Sequence, residues 1–141
     1  MKKYILVALI LGFVSCSSFP DVKEKTENEK KTGIYVAATH SPLQWILYFS
    51  NGLNVWFNDA DPKIVPYKTE AQFFELKEGA INYKVEMTYL SGGRVVGCLN
   101  LKPGQKAYFK YSTPFLITSS GNLNIFDVKT ETELPMTPYC K

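Results

Sequence analysis

Ile81-Asn82-Tyr83-Lys84-Val85-Glu86-Met87-Thr88-Tyr89 is the stretch that decides the fold class. Apolar Ile81, Tyr83, Val85, Met87 and Tyr89 alternate with polar Asn82, Lys84, Glu86 and Thr88. Successive side chains on a strand point to opposite faces, so this period of two predicts a strand with one face on a core and the other in water. A helix would instead space its apolar positions by three and four. After Gly92-Gly93 the pattern resumes over 94–101, with Val95, Gly97, Leu99 and Leu101 on one face and Cys98 on the other.

The same period extends outward in both directions. Pro103-Gly104 predicts a type II turn, because proline presets the first central position and glycine tolerates the positive φ of the second. Beyond it, Lys106, Tyr108 and Lys110 alternate with Ala107, Phe109 and Tyr111, and lysines along one face predict an edge strand guarded against further pairing. A last pair of strands is expected over 115–118 and 123–128, before an irregular tail containing Pro135 and Pro138. Upstream, 34–39 reads as a first strand and 45–49, apolar on both faces, as a central one. Asn51-Gly52 between 45–49 and 53–57 predicts a tight hairpin, since a type I′ turn needs φ > 0 at both central residues. Pro62 and Pro66 argue against a strand through Ile64-Val65, and 72–76 reads as a short strand. Seven to nine short strands predict an all-β domain, a single antiparallel β-sandwich with a small β-barrel as the alternative. Residues 54–111 loosely resemble the Ig-like or transthyretin-like modules of bacterial surfaces. The resemblance rests on Leu76-Lys77-Glu78-Gly79 opening a long strand and Leu101-Lys102-Pro103-Gly104 closing the next.

Ahead of this domain the chain changes character. Lys2 and Lys3 precede an apolar run over 4–14, which is 11 residues long and interrupted only by Gly12. A membrane-spanning helix needs about 20 such residues, whereas 7–15 suit the core of a secretory signal peptide. The run ends in Phe13-Val14-Ser15-Cys16, which resembles the lipobox of bacterial lipoproteins. In that family a small residue precedes an obligatory cysteine that is acylated, with palmitate-type chains, and becomes the mature amino terminus. The resemblance implies a signal peptide over 1–15, lipidation at Cys16, and membrane anchoring through acyl chains worth about 0.8 kcal/mol per buried CH₂. Phe13 stands where leucine is usual. Ser17, rather than aspartate, implies an outer-membrane rather than inner-membrane address in the bacterial cell envelope.

The mature chain carries 14 Lys+Arg (16 less Lys2 and Lys3) against 13 Asp+Glu, so no basic field is left for nucleic acid. Residues 16–32 hold four charges of each sign and, as sizeable apolar residues, only Phe19 and Val22. Such a segment has little to bury and is expected to be a flexible charged stalk carrying the domain 33–141. With Cys16 lipidated, Cys98 and Cys140 remain as a pair in an oxidising compartment, where a disulfide is the expectation. Since Cys98 faces away from the core, Cys140 must then come to the outer face or the edge of the sheet.

Residues that could carry chemistry are few. His40, the sole histidine, sits beside Ser41 before Pro42 and reads as a turn residue. Asn58, Asp59 and Asp61 could offer oxygen ligands to Ca²⁺, and Asp59 and Asp61 with Glu70 or Glu75 could form the carboxylate pair of an envelope hydrolase. An Asx-rich turn closed by Pro62 accounts for the same residues without function. Trp45, Tyr48, Trp56 and Tyr67 could make an aromatic platform for a glycan, a small ligand or a peptide. Trp56 is the prime candidate because it faces away from Val55 and Phe57. No nucleophile–base set is visible, so the expectation is a non-enzymatic binding or structural module of the envelope without cofactor. Its partner would be another envelope or extracellular protein.

Overall fold

The computed structural model describes residues 18–22, 28–39, 51–67, 69–88, 93–114, 121–138 and 140. The signal peptide, Cys16, His40, Ser41, the strands expected over 45–49 and 115–118, and with them Trp45 and Tyr48, lie outside the described residues. The described chain forms eight strands and no α-helix: β1 Gly33–Thr39, β2 Gly52–Phe57, β3 Lys63–Pro66, β4 Gln72–Glu75, β5 Gly79–Met87, β6 Val95–Leu101, β7 Lys106–Ser112 and β8 Asn122–Asp127. They make two four-stranded sheets, sheet I in the order β4-β1-β7-β8 and sheet II in the order β3-β2-β5-β6. Both sheets keep open edges, so the barrel alternative does not hold.

Alternation decides which face of each strand is buried. In β5, Ile81, Tyr83, Val85 and Met87 are buried while Asn82, Lys84 and Glu86 are not, as the period predicts. Their counterparts across the core are Ile34 and Val36 of β1, Phe109 and Tyr111 of β7, and Leu123 and Ile125 of β8. Phe109 anchors this contact, with its ring 4.9 Å from that of Tyr83 and 6.0 Å from that of Phe57. Gly104 has φ +71° and Gln105 N–H donates to Lys102 C=O at 3.0 Å, which is the turn expected at Pro103-Gly104.

Four expectations need correction. The domain is not wholly antiparallel: β1 runs parallel to β7, from Gly33 opposite Lys106 to Thr39 opposite Ser112. Asn51-Gly52 is not a I′ hairpin turn, because neither residue has positive φ. Both edges of β2 are in fact already taken, by β3 and β5, and Gly52 lets β3 approach so closely that a Cβ would meet Val65 C=O. Ile64-Val65 does lie in a strand, β3, which tolerates Pro66 because it is an edge strand paired on one side only. Finally, β7 is interior, flanked by β1 and β8, so its lysines guard no edge.

Candidate functional site

Two outward faces of the sandwich carry aromatic side chains. On sheet II the cross-strand register sets Trp56, Lys84 and Val96 side by side, with Asn54 beside Glu86 and Ile64 in the neighbouring row. Ile64 and Val96 are 58% and 57% exposed, and Trp56 is half-buried. The Lys84 ammonium sits 3.5 Å from the centre of the Trp56 ring, a close cation–π contact. At the next position Arg94 Nε donates to Glu86 Oε2 at 2.9 Å. The face is therefore an aromatic and aliphatic stripe rimmed by charge, and its Trp56 and Arg94 are of the residue types enriched at binding hot spots.

On sheet I the register puts Phe73, Tyr35, Tyr108 and Phe126 in one row across all four strands. Tyr35 and Tyr108 are buried, because Phe19 and Val22 pack over this face. The Tyr108 hydroxyl donates to Pro20 C=O at 2.6 Å, and the Lys106 ammonium donates to Glu29 C=O at 2.9 Å. Gly104 N–H donates to the Thr32 hydroxyl at 2.7 Å. The described part of the expected stalk is thus packed rather than free, held by the only two sizeable apolar residues it contains. Burial, helped by the charge of Asp21, pushes the Tyr108 phenol up to about 12. The Lys110 ammonium lies over the Tyr108 and Phe126 rings.

Between this covering segment and β4 lies a groove of about 1230 Å³, with Pro20, Asp21, Val22 and Asn28 on one side and residues 69–73 on the other. Tyr35 lies among its lining residues and is 4% exposed.

The remaining candidates are dispersed. Tyr67 is buried in the core and so does not share a surface with Trp56. Asn58 has φ 53° and exchanges two bonds with Asn82, its side-chain oxygen accepting Asn82 N–H at 3.0 Å. That oxygen is committed to the turn, while Asp59 and Asp61 are exposed. Glu75 pairs with Lys31 at 2.9 Å. Among the described residues, no group of three or more His, Cys, Asp and Glu is placed to hold a metal ion.

Cys98 and Cys140 stand at disulfide distance, with Cα atoms 5.3 Å apart. Cys98 lies on the edge strand β6, where Thr137 bridges to it and accepts Cys98 N–H at 2.7 Å. The tail thus runs from Glu133, bridged to Phe126 of sheet I, to the open edge of sheet II. Where it leaves β8, burial pushes Asp127 up, but hydrogen bonds from Gln105, Thr130 and Lys129 outweigh it and hold the carboxyl below the usual range.

Tyr35, Lys84, Ile64 and Val96 escaped the sequence reading because each matters through its cross-strand neighbours. The outward phase of Trp56 was legible; what stands beside it was not. No known protein family, no curated protein and no solved structure matches the chain. Among the described residues, no helix is long and apolar enough to cross a membrane.

Proposed function

We propose that this protein is a lipid-anchored, non-catalytic binding module of the bacterial envelope, docking another envelope or extracellular protein on the outer face of sheet II. The observation that carries the reading is the Trp56–Lys84–Val96 row with exposed Ile64 beside it. An aromatic ring flanked by solvent-facing aliphatics and a desolvatable cation gains more from a partner's surface than from water. The two-sheet arrangement fits an Ig-like or transthyretin-like module. Acyl chains on Cys16 would keep it on the membrane, with an outer-membrane address implied by Ser17.

A photo-crosslinking residue placed at Val96 or Ile64 in intact cells tests the docking face. Discrete adducts are expected, absent from a control position at Lys129 and lost on Trp56→Ala. Indiscriminate or absent crosslinking from the face overturns the docking role. The anchor has a separate test, because Cys16→Ala should release the protein into the soluble fraction.

A further inference from the structure

The groove on the opposite sheet carries a second, independent binding reading. Its floor holds Tyr35, whose hydroxyl is buried without a hydrogen-bond partner. Leaving a buried hydroxyl unpaired costs about 1–3 kcal/mol, so such groups call for a reason. One other buried hydroxyl is unpaired among the described residues, that of Tyr83. It lies inside the core over Gly97, where a Cβ would strike it. Tyr35 differs because it lines an opening with polar walls.

The described walls carry negative charge. Asp21 and Glu70 line the groove from opposite sides, and no basic residue is among its described lining. Neither carboxylate is in an ion pair with a described residue, since the pairs there are Lys31–Glu75 and Arg94–Glu86. Asp21 also acts at a distance, contributing to the raised pKa of the Tyr108 phenol. Apolar surface completes the lining: Val22, Ala71 and the Phe73 ring, whose centre is 4.8 Å from that of Tyr35.

We propose that this groove binds a small organic cation, a primary alkylammonium with a short apolar chain. The ammonium has three donors and no acceptor, which complements two carboxylates and a phenol oxygen with open lone pairs. The partly exposed Phe73 ring attracts a cation further, and the apolar wall takes the alkyl chain. An anion would meet two like charges. Among the described residues no set of three or more acidic ligands stands here to cage a bare metal ion. Reaching the sealed hydroxyl requires the covering segment to shift slightly.

The test uses the full mature protein in non-ionic detergent, titrated calorimetrically with 1,5-diaminopentane and n-butylammonium. n-Butanol and butyrate serve as neutral and anionic counterparts. Saturable binding of both amines is expected, at least about tenfold tighter than either counterpart. Tyr35→Phe keeps the ring and should weaken amine binding about tenfold without loss of thermal stability. Glu70→Gln, at an exposed position, should weaken it and flatten its salt dependence. Equal binding of butanol or butyrate overturns the proposal. So does no saturation up to about 30 mM amine, or undiminished affinity in both variants. Because the groove and the Trp56 face lie on different sheets, these outcomes leave the docking role to its own experiment.

Discussion

Tyr108 and Trp56 occupy comparable places in the two sheets. Each sits on a strand flanked on both sides, turns away from the shared core, and has a lysine ammonium against its ring. Their surroundings are nevertheless opposite. Tyr108 is 6% exposed and bonded to Pro20, whereas Trp56 is only half-buried and leans on exposed neighbours. The difference comes from the chain itself. A segment with two apolar residues, Phe19 and Val22, crosses sheet I and converts its outer face into a second small core. No described segment crosses the Trp56 row of sheet II. An outward aromatic therefore has no fixed meaning until it is known what the rest of the chain lays over it.

That contrast can be broken most directly by truncating both rings. Tyr108→Ala should cost about 3–5 kcal/mol, the range for emptying a buried aromatic site. Trp56→Ala should cost under about 1 kcal/mol while abolishing crosslinks from Val96. Urea unfolding of the two variants measures the gap, and equal losses would erase the distinction between the faces.

The tail provides a second covering segment, on the side where β6 would otherwise expose an unpaired edge. Cys140→Ser opens a loop with sequence separation 42 and should cost about 2–4 kcal/mol. Amide exchange should rise first at Cys98, whose N–H bonds to Thr137. Phe19→Ala should cost less, about 1–2 kcal/mol, because that ring is only partly buried. Its signature would be faster exchange along β1 and β7, with sheet II unaffected.

The last effect is an alkaline one. Tyr108 ionises near 12 in the folded protein against an ordinary value of 10, because burial and then Asp21 disfavour the phenolate. The stabilisation this gives is complete below pH 10 and is lost as pH rises from 10 through 12. Ionisation also removes the donor to Pro20. Ultraviolet titration of tyrosine should therefore show Tyr108 ionising late, as do Tyr83 and Tyr111, whose phenols burial also pushes up, with the Tyr108 step coinciding with loosening of the covering segment. Tyr108→Phe should remove that step and the loosening coupled to it, leaving the other late tyrosines in place.

Much of the fold was legible because period two is a local property. The alternation of Ile81 to Met87, the shared face of Gly97, Leu99 and Leu101, and the turn at Pro103-Gly104 needed no knowledge of distant residues. The direction of Cys98 likewise confined its partner to the outer face or the edge of the sheet. Misreadings arose where identity depended on neighbours. Asn51-Gly52 looked like a hairpin turn, but β3 and β5 claim both sides of β2. Lys106 and Lys110 looked like edge guards, yet β1 inserts beside β7, and these lysines instead serve the covering segment and two aromatic rings. The candidate site was half legible. Trp56 could be phased, but Tyr35 became notable only when the register aligned it with Phe73 and Tyr108.

By itself the sequence determined that this chain forms short strands, which face of β5 and β6 is apolar, and that it turns at Pro103-Gly104, because these follow from side-chain direction and backbone sterics within a few residues. Only the tertiary structure decided which strands are neighbours, that β1 runs parallel to β7, and which outer face the described chain covers. Pairing partners and coverage depend on hydrogen bonds and apolar contacts between residues up to 88 positions apart, as from Tyr108 to Pro20. No local pattern encodes contacts of that range.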